Sequence, residues 1–183
     1  FIDGTNTLAG GYAFIVSLGL LLFLFKLNSN FEISNIYYLL SFLFVFLIYN
    51  FNSKSYLGDG GSYLISGFLA IICINFSSHF EYSMSPYFIA LLLWYPALEN
   101  LFSIIRRVFY QKKNANLADN QHLHHLIYKF IKRKLNNKNI CNSLTGLVIN
   151  ICLFVFVYFA VIFSNQTVLL VTLFVLKSFV YSI

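Results

Sequence analysis

The stretch LTGLVINICLFVFVYFAVIF, residues 144–163, runs for twenty residues without one charge. At 1.5 Å per residue a helix of that length covers about 30 Å, the thickness of the hydrocarbon core of a bilayer. Five more apolar runs lie outward from it, at 12–27, 36–49, 63–76, 87–105 and 167–181, the second and third extended through neighbouring Ser, Asn and Gly. Of the 183 residues, 59% are hydrophobic and 10% charged, a balance no soluble core tolerates. The runs recur along the whole chain, which excludes one signal peptide ahead of a soluble domain. None alternates with period two, so a barrel is excluded and helices satisfy the backbone in lipid. The sequence thus predicts an all-α polytopic membrane bundle of about six transmembrane helices, one membrane domain over 1–183.

Three polar connections, near 1–11, 53–62 and 106–143, contrast with brief, nearly uncharged ones. The last holds nine of the twelve Lys and Arg, Arg106 and Arg107 among them, against one acid, Asp119. A Lys/Arg excess marks the cytoplasmic side. Two spans separate each polar connection from the next, so all three are expected on that face, where distant segments can share a site. The basic balance reads as topology plus attraction to anionic membrane lipid or an anionic substrate, not as nucleic-acid binding. Cys73, Cys141 and Cys152 have no metal-like spacing and read as small hydrophobes.

Within SKSYLGDGGSYL, Asp59 stands between Gly58 and the pair Gly60–Gly61, with Ser62 opening the next run. Glycines let backbone N–H groups approach a phosphate at a helix N-terminus, with Gly60, Ser62 and Lys54 as candidate contacts. A carboxylate beside phosphate suits Mg²⁺, which takes oxygen ligands. Asp59 is equally readable as a helix cap near Ser62. In ADNQHLHHLIY, His122, His124 and His125 can contact phosphate or move a proton. A zinc site and a solvated loop are the other readings, the first lacking a helical i, i+4 pair. In FIDGTNTLAGG, Asp3 and Asn6 face each other across a glycine-rich turn, either a second acidic site element or a capped entry to the first span.

Taken together and in this order, IDGTNTLAGG, KSYLGDGGSYLISG, YPALENLFSIIRR and ADNQHLHHLIY resemble the polyprenyl-phosphate sugar-1-phosphate transferases. The HxHH form resembles the undecaprenyl-phosphate N-acetylhexosamine-1-phosphate branch more than the phospho-MurNAc-pentapeptide translocases. The resemblance implies transfer of a sugar phosphate from a UDP-sugar to undecaprenyl phosphate, with release of UMP and with Mg²⁺ or Mn²⁺ as cofactor. The product would initiate a lipid-linked surface glycan at the bacterial inner membrane. It implies a metal-binding role for Asp59, a catalytic acid at Asp3, and diphosphate contacts from His122, His124 and His125. Asn6, Lys54, Gly60, Ser62, Arg106 and Arg107 would contact substrate.

Two residues depart from the family pattern: Thr7 where it usually has Gly, and Glu99 where many members have Asp. The family also carries an adjacent aspartate pair and several spans ahead of the IDG motif. The expectation is therefore a C-terminal part of a larger bundle, inactive alone and completed by an N-terminal half or by a second copy. A partner-binding remnant without catalysis is the alternative. A transporter would place ionisable groups in mid-span, whereas Lys26, Lys54, Glu99 and Lys177 read as lying toward span ends.

Overall fold

The computed structural model describes residues 5–110 and 122–182, and every element among them is helical. The order is α1 (Leu8–Leu27), α2 (Ile33–Phe51), α3 (Gly58–His79), α4 (Pro86–Leu92), α5 (Trp94–Ile105), a π-helical turn (Arg106–Tyr110), α6 (Leu123–Lys132), α7 (Lys138–Ile162) and α8 (Thr167–Ser182). The chain is a membrane helical bundle.

Helix α1 is the axis of the bundle. Apolar all round, it packs against α7, α2 and α3 and buries thirteen of its twenty residues. A helix without a polar face belongs in the interior. Close approach to α7 depends on a small residue there: a Cβ on Gly146 would run into the Asn6 carbonyl oxygen and lie 2.6 Å from Thr7 Oγ1.

Six spans were expected. Four described helices, α1, α2, α3 and α7, are long and apolar enough to cross a membrane. The run at 87–105 is not one straight helix but α4 and α5, bent by 67° about Leu93. Pro96 gives the reason: it lacks the N–H that would bond the carbonyl of Leu92 four residues back, and the hydroxyl of Tyr12 donates to that carbonyl instead, at 2.9 Å. Counted as one broken span, the pair is the fifth. The run at 167–181 forms a shorter apolar helix, α8.

The polar connections are also shorter than the sequence suggested. Gly10 and Gly11 are already helical, α3 starts at Gly58, and the stretch 106–143 contains the π turn, all of α6 and the start of α7. Lys177 lies five residues before Ser182, the last residue of α8, on the side of the helix that faces its neighbours. It sits about 15 Å along α8 from Thr167, buried, with its ammonium 4.6 Å from the Trp94 ring centre and 4.2 Å from that of Phe156. Two aromatic faces offset part of the cost of removing the charge from water.

The two ends of the bundle are built differently. At one, the ring of Phe23 lies 5.1 Å from that of Phe88 and 5.2 Å from that of Phe80, and Phe31 packs on Phe76 and Phe80. Beside them Lys26 donates to the last carbonyls of α7, those of Val161 and Ile162. At the other end, where α1, α3 and α7 begin and α2 finishes, the contacts are hydrogen bonds.

Candidate functional site

At that polar end the described parts of all three connections meet. The Asn6 amide donates to Ser53 Oγ at 2.7 Å, and the Thr7 N–H donates to Asn50 Oδ1 at 2.5 Å. Thr7 Oγ1 donates to the Ser143 carbonyl, and Ser143 Oγ donates to the carbonyl of Phe51. Asn150 Nδ2 closes the knot by donating to the Thr7 carbonyl at 2.8 Å. Thr7 itself has φ 65°, a left-handed conformation that glycine adopts freely and a β-branched residue does not. Three bonds to its N–H, hydroxyl and carbonyl hold it there.

Gly58 has φ +64°, and this left-handed residue lets the chain turn into α3. Asp59 falls in the first turn of the helix, exposed, and makes no cap hydrogen bond. A carboxylate at this place faces the positive end of the helix dipole. The cap near Ser62 is thereby corrected, because the helix begins four residues earlier. Space around the turn is open: a Cβ on Gly58 or Gly60 would meet nothing within 4 Å. Ser62 Oγ is buried without a hydrogen-bond partner among the described residues. One carboxylate, one unpaired hydroxyl and open backbone fit a cation that keeps most of its water and shares a phosphate. Among the described residues no three His, Cys, Asp or Glu side chains are placed to share a metal ion, which sets aside the zinc reading of the histidines there. Asp3 lies outside the described residues.

The histidines are held by Glu99, which is buried in α5. Its Oε1 lies 3.1 Å from His122 Nδ1 and accepts the Leu123 N–H at 3.0 Å, so a carboxylate from another helix serves the first turn of α6. The rings of His122 and His124 lie parallel, 5.4 Å apart, and His124 is 4.3 Å from His125. His124 is only 2% exposed, and its Nδ1 has no hydrogen-bond partner among the described residues. Burial first, and then the neighbouring His125 and His122, push its pKa down to about 4. At neutral pH His124 is therefore an uncharged imidazole that offers one N–H and one lone pair rather than a cation.

Of the other expected contacts, Lys54 is exposed and Arg106 partly buried. Arg107 is buried and turns back on its own helix, donating to the Ser103 carbonyl and hydroxyl. The structure thus joins Asn6 to the polar knot and the three histidines to one another, and leaves Asp59 on an exposed turn of the same end. Sequence reading passed over Glu99 as a site residue and did not single out Asn50, Ser143 or Asn150. Asn50 and Asn150 carried a signal, since a polar side chain inside an apolar run faces the bundle interior. Glu99 carried the same signal, as the one carboxylate in the run 87–105, but its partner did not show, because 23 positions separate it from His122.

Among known proteins, no curated protein and no solved structure matches the chain. A family model does match, over a segment that holds Asp3, Asn6, Lys54, Asp59, Gly60 and Ser62 and stops short of Glu99 and the histidines. Over residues 1–77 the chain is similar to Glycosyl transferase family 4, a family of transferases.

Proposed function

We propose that this chain contributes the nucleotide-sugar and metal face of a polyprenyl-phosphate sugar-1-phosphate transferase. In this reading a UDP-N-acetylhexosamine gives its sugar phosphate to undecaprenyl phosphate at the cytoplasmic side of a bacterial inner membrane, and UMP leaves. The observation that carries the reading is the match of residues 1–77, the segment that includes the Asp59 turn. Two features support it. The histidine helix is fixed by Glu99 at the end of the bundle where the three connections converge. An apolar groove of about 310 Å³, lined by Phe14, Ile15, Leu47 and Ile151, also takes in Thr7 and Asn150 of the polar knot, a combination suited to a lipid substrate with a polar head.

Asp59, with Ser62 beside it, would hold Mg²⁺ or Mn²⁺, which supplies neutralisation of the charge that builds on phosphate oxygens. Lys54 stands on the same connection, where its ammonium can bind an anion. His124, uncharged and buried, donates a hydrogen bond from its ring N–H to a phosphate oxygen, and Glu99 keeps the start of α6 in place for it.

The test is transfer of radiolabelled sugar phosphate from UDP-N-acetylhexosamine to undecaprenyl phosphate, in membranes carrying the chain in its native gene context. Asp59→Asn is expected to lower the rate roughly 10²- to 10⁴-fold. Asn keeps the size and hydrogen-bonding capacity of the side chain and gives up only the charge, a dipole contact of at most about 1 kcal/mol, so near-normal turnover would remove Asp59 from the metal role. No transfer from the wild type, with the fold intact, would favour the non-catalytic, partner-binding reading.

A further inference from the structure

Helix α6 presents a second face, opposite the histidine site. Leu123 and Ile127 pack on the core and His124 is buried, yet Leu126 and Phe130, one turn apart on the outer side, are 53% and 59% exposed. Around this pair stand Lys129, Lys132, Arg133, Lys134 and Lys138, all exposed. Between residues 122 and 143 there is no acidic residue to balance them. The lysine stems lie along the apolar surface: Lys134 Nζ sits 5.1 Å over the Phe130 ring, and Lys132 Nζ 5.7 Å over that of Tyr128. Leu135 and Ile140 continue the exposed apolar surface toward α7.

We infer that α6 and the basic segment after it form a docking surface for anionic phospholipid headgroups of the adjacent leaflet, with Leu126 and Phe130 inserted at the acyl boundary. Helix α6 runs directly into the span α7 and packs on it, so its outer face lies at the level where a span meets headgroups. An apolar pair framed by cations is the pattern of an interfacial helix. Charge complementarity selects the occupant. A second copy of the chain would bring the same five cations against these, whereas an anionic leaflet attracts them. Because His124 and His125 lie in the first turn of α6 and His122 immediately precedes it, lipid on its outer face also fixes the orientation of the histidine cluster.

The test reconstitutes the whole chain in nanodiscs of phosphatidylcholine alone, or with roughly a third phosphatidylglycerol to supply a negative surface potential. Nitroxides at Phe130→Cys and Leu126→Cys, with the exposed Cys152 replaced by serine, are relaxed by oxygen from the lipid or by a nickel chelate from water. In anionic discs oxygen is expected to dominate. In neutral discs, or at high salt, the balance should move toward the chelate. The variant Lys132→Gln, Arg133→Gln, Lys134→Gln in anionic discs should behave as the native sequence does in neutral ones. Hydrogen exchange of the unlabelled protein is the second readout, with the amides of 123–132 slowed roughly ten-fold by anionic lipid and those of α1 and α7 unchanged. Equal relaxation in both discs, or an unaltered triple variant, overturns the proposal. So does a label shielded from both relaxants, which would mean a protein covers this face.

Discussion

The aromatic end of this bundle joins helix α1 to both α3 and α4, the polar end joins it to α2 and α7, and the two do so by different physics. Rings around Phe23 gain their energy from area and dispersion, which depend weakly on angle. At the other end Thr7, Asn50, Ser143 and Asn150 are joined by bonds that exist only in one register of α1, α2 and α7. The contrast teaches that one end supplies cohesion while the other supplies position, and the positioned end carries the candidate site.

Breaking the polar end should therefore be the more damaging change. Gly146→Val forces a side chain into the Asn6 carbonyl and Thr7, and is expected to destabilise by about 3 kcal/mol in a detergent-denaturation titration. Asn50→Leu leaves the Thr7 N–H without its acceptor, with an expected loss of about 2 kcal/mol and faster amide exchange at the start of α1.

Acid provides a third probe of this end. The pKa of His124 falls from 6.5 to about 4 on folding, so the unfolded chain binds the extra proton first. Its contribution is complete above pH 6.5 and declines as pH drops toward 4, with a slope of at most about 1.4 kcal/mol per pH unit. His124→Gln should flatten the denaturation midpoint across that window. A slope unchanged in the variant would show that another group titrates there.

The aromatic end should yield less. Phe23→Leu is expected to lower stability by about 1 kcal/mol while leaving exchange at residues 5–8 as it was. Slowed or quickened exchange at that distance would erase the distinction between the ends. Thr7→Gly is the finest test: it relieves a left-handed φ and loses one hydroxyl bond. The two effects oppose each other, and the net change should lie within about 1 kcal/mol.

The helical bundle was legible because apolar runs of membrane length leave the backbone few alternatives. The break at Leu93 was not, although Pro96 stands in the run, because a proline can be absorbed in a continuous helix, and the Tyr12 hydroxyl that satisfies the freed Leu92 carbonyl in the broken one lies 80 positions away. The same holds for Lys177, whose aromatic partners Trp94 and Phe156 come from two other helices. At the site, the histidines and the Asp59 turn could be picked out by residue type and glycine context. Glu99 stood out as the carboxylate of its apolar run, but its role did not, since that comes from a long-range contact. The six-span count came from treating length as continuous helix, and the helical start of α3 and the whole of α6 were hidden by polar composition.

The Thr7–Ser143 bond spans 136 positions of sequence, and this separation sets a timetable for biosynthesis. A ribosome adding roughly 5 to 20 residues per second needs on the order of 7 to 30 s to pass from one partner to the other. Asn50 emerges only 43 positions after Thr7, so α1 and α2 can join as an early hairpin. The hydroxyl and carbonyl of Thr7 then wait in the nascent protein until α7 arrives with the Ser143 carbonyl and the Asn150 amide. Assembly of the polar end is a late event, and errors in delivering α7 fall first on the residues that shape the site.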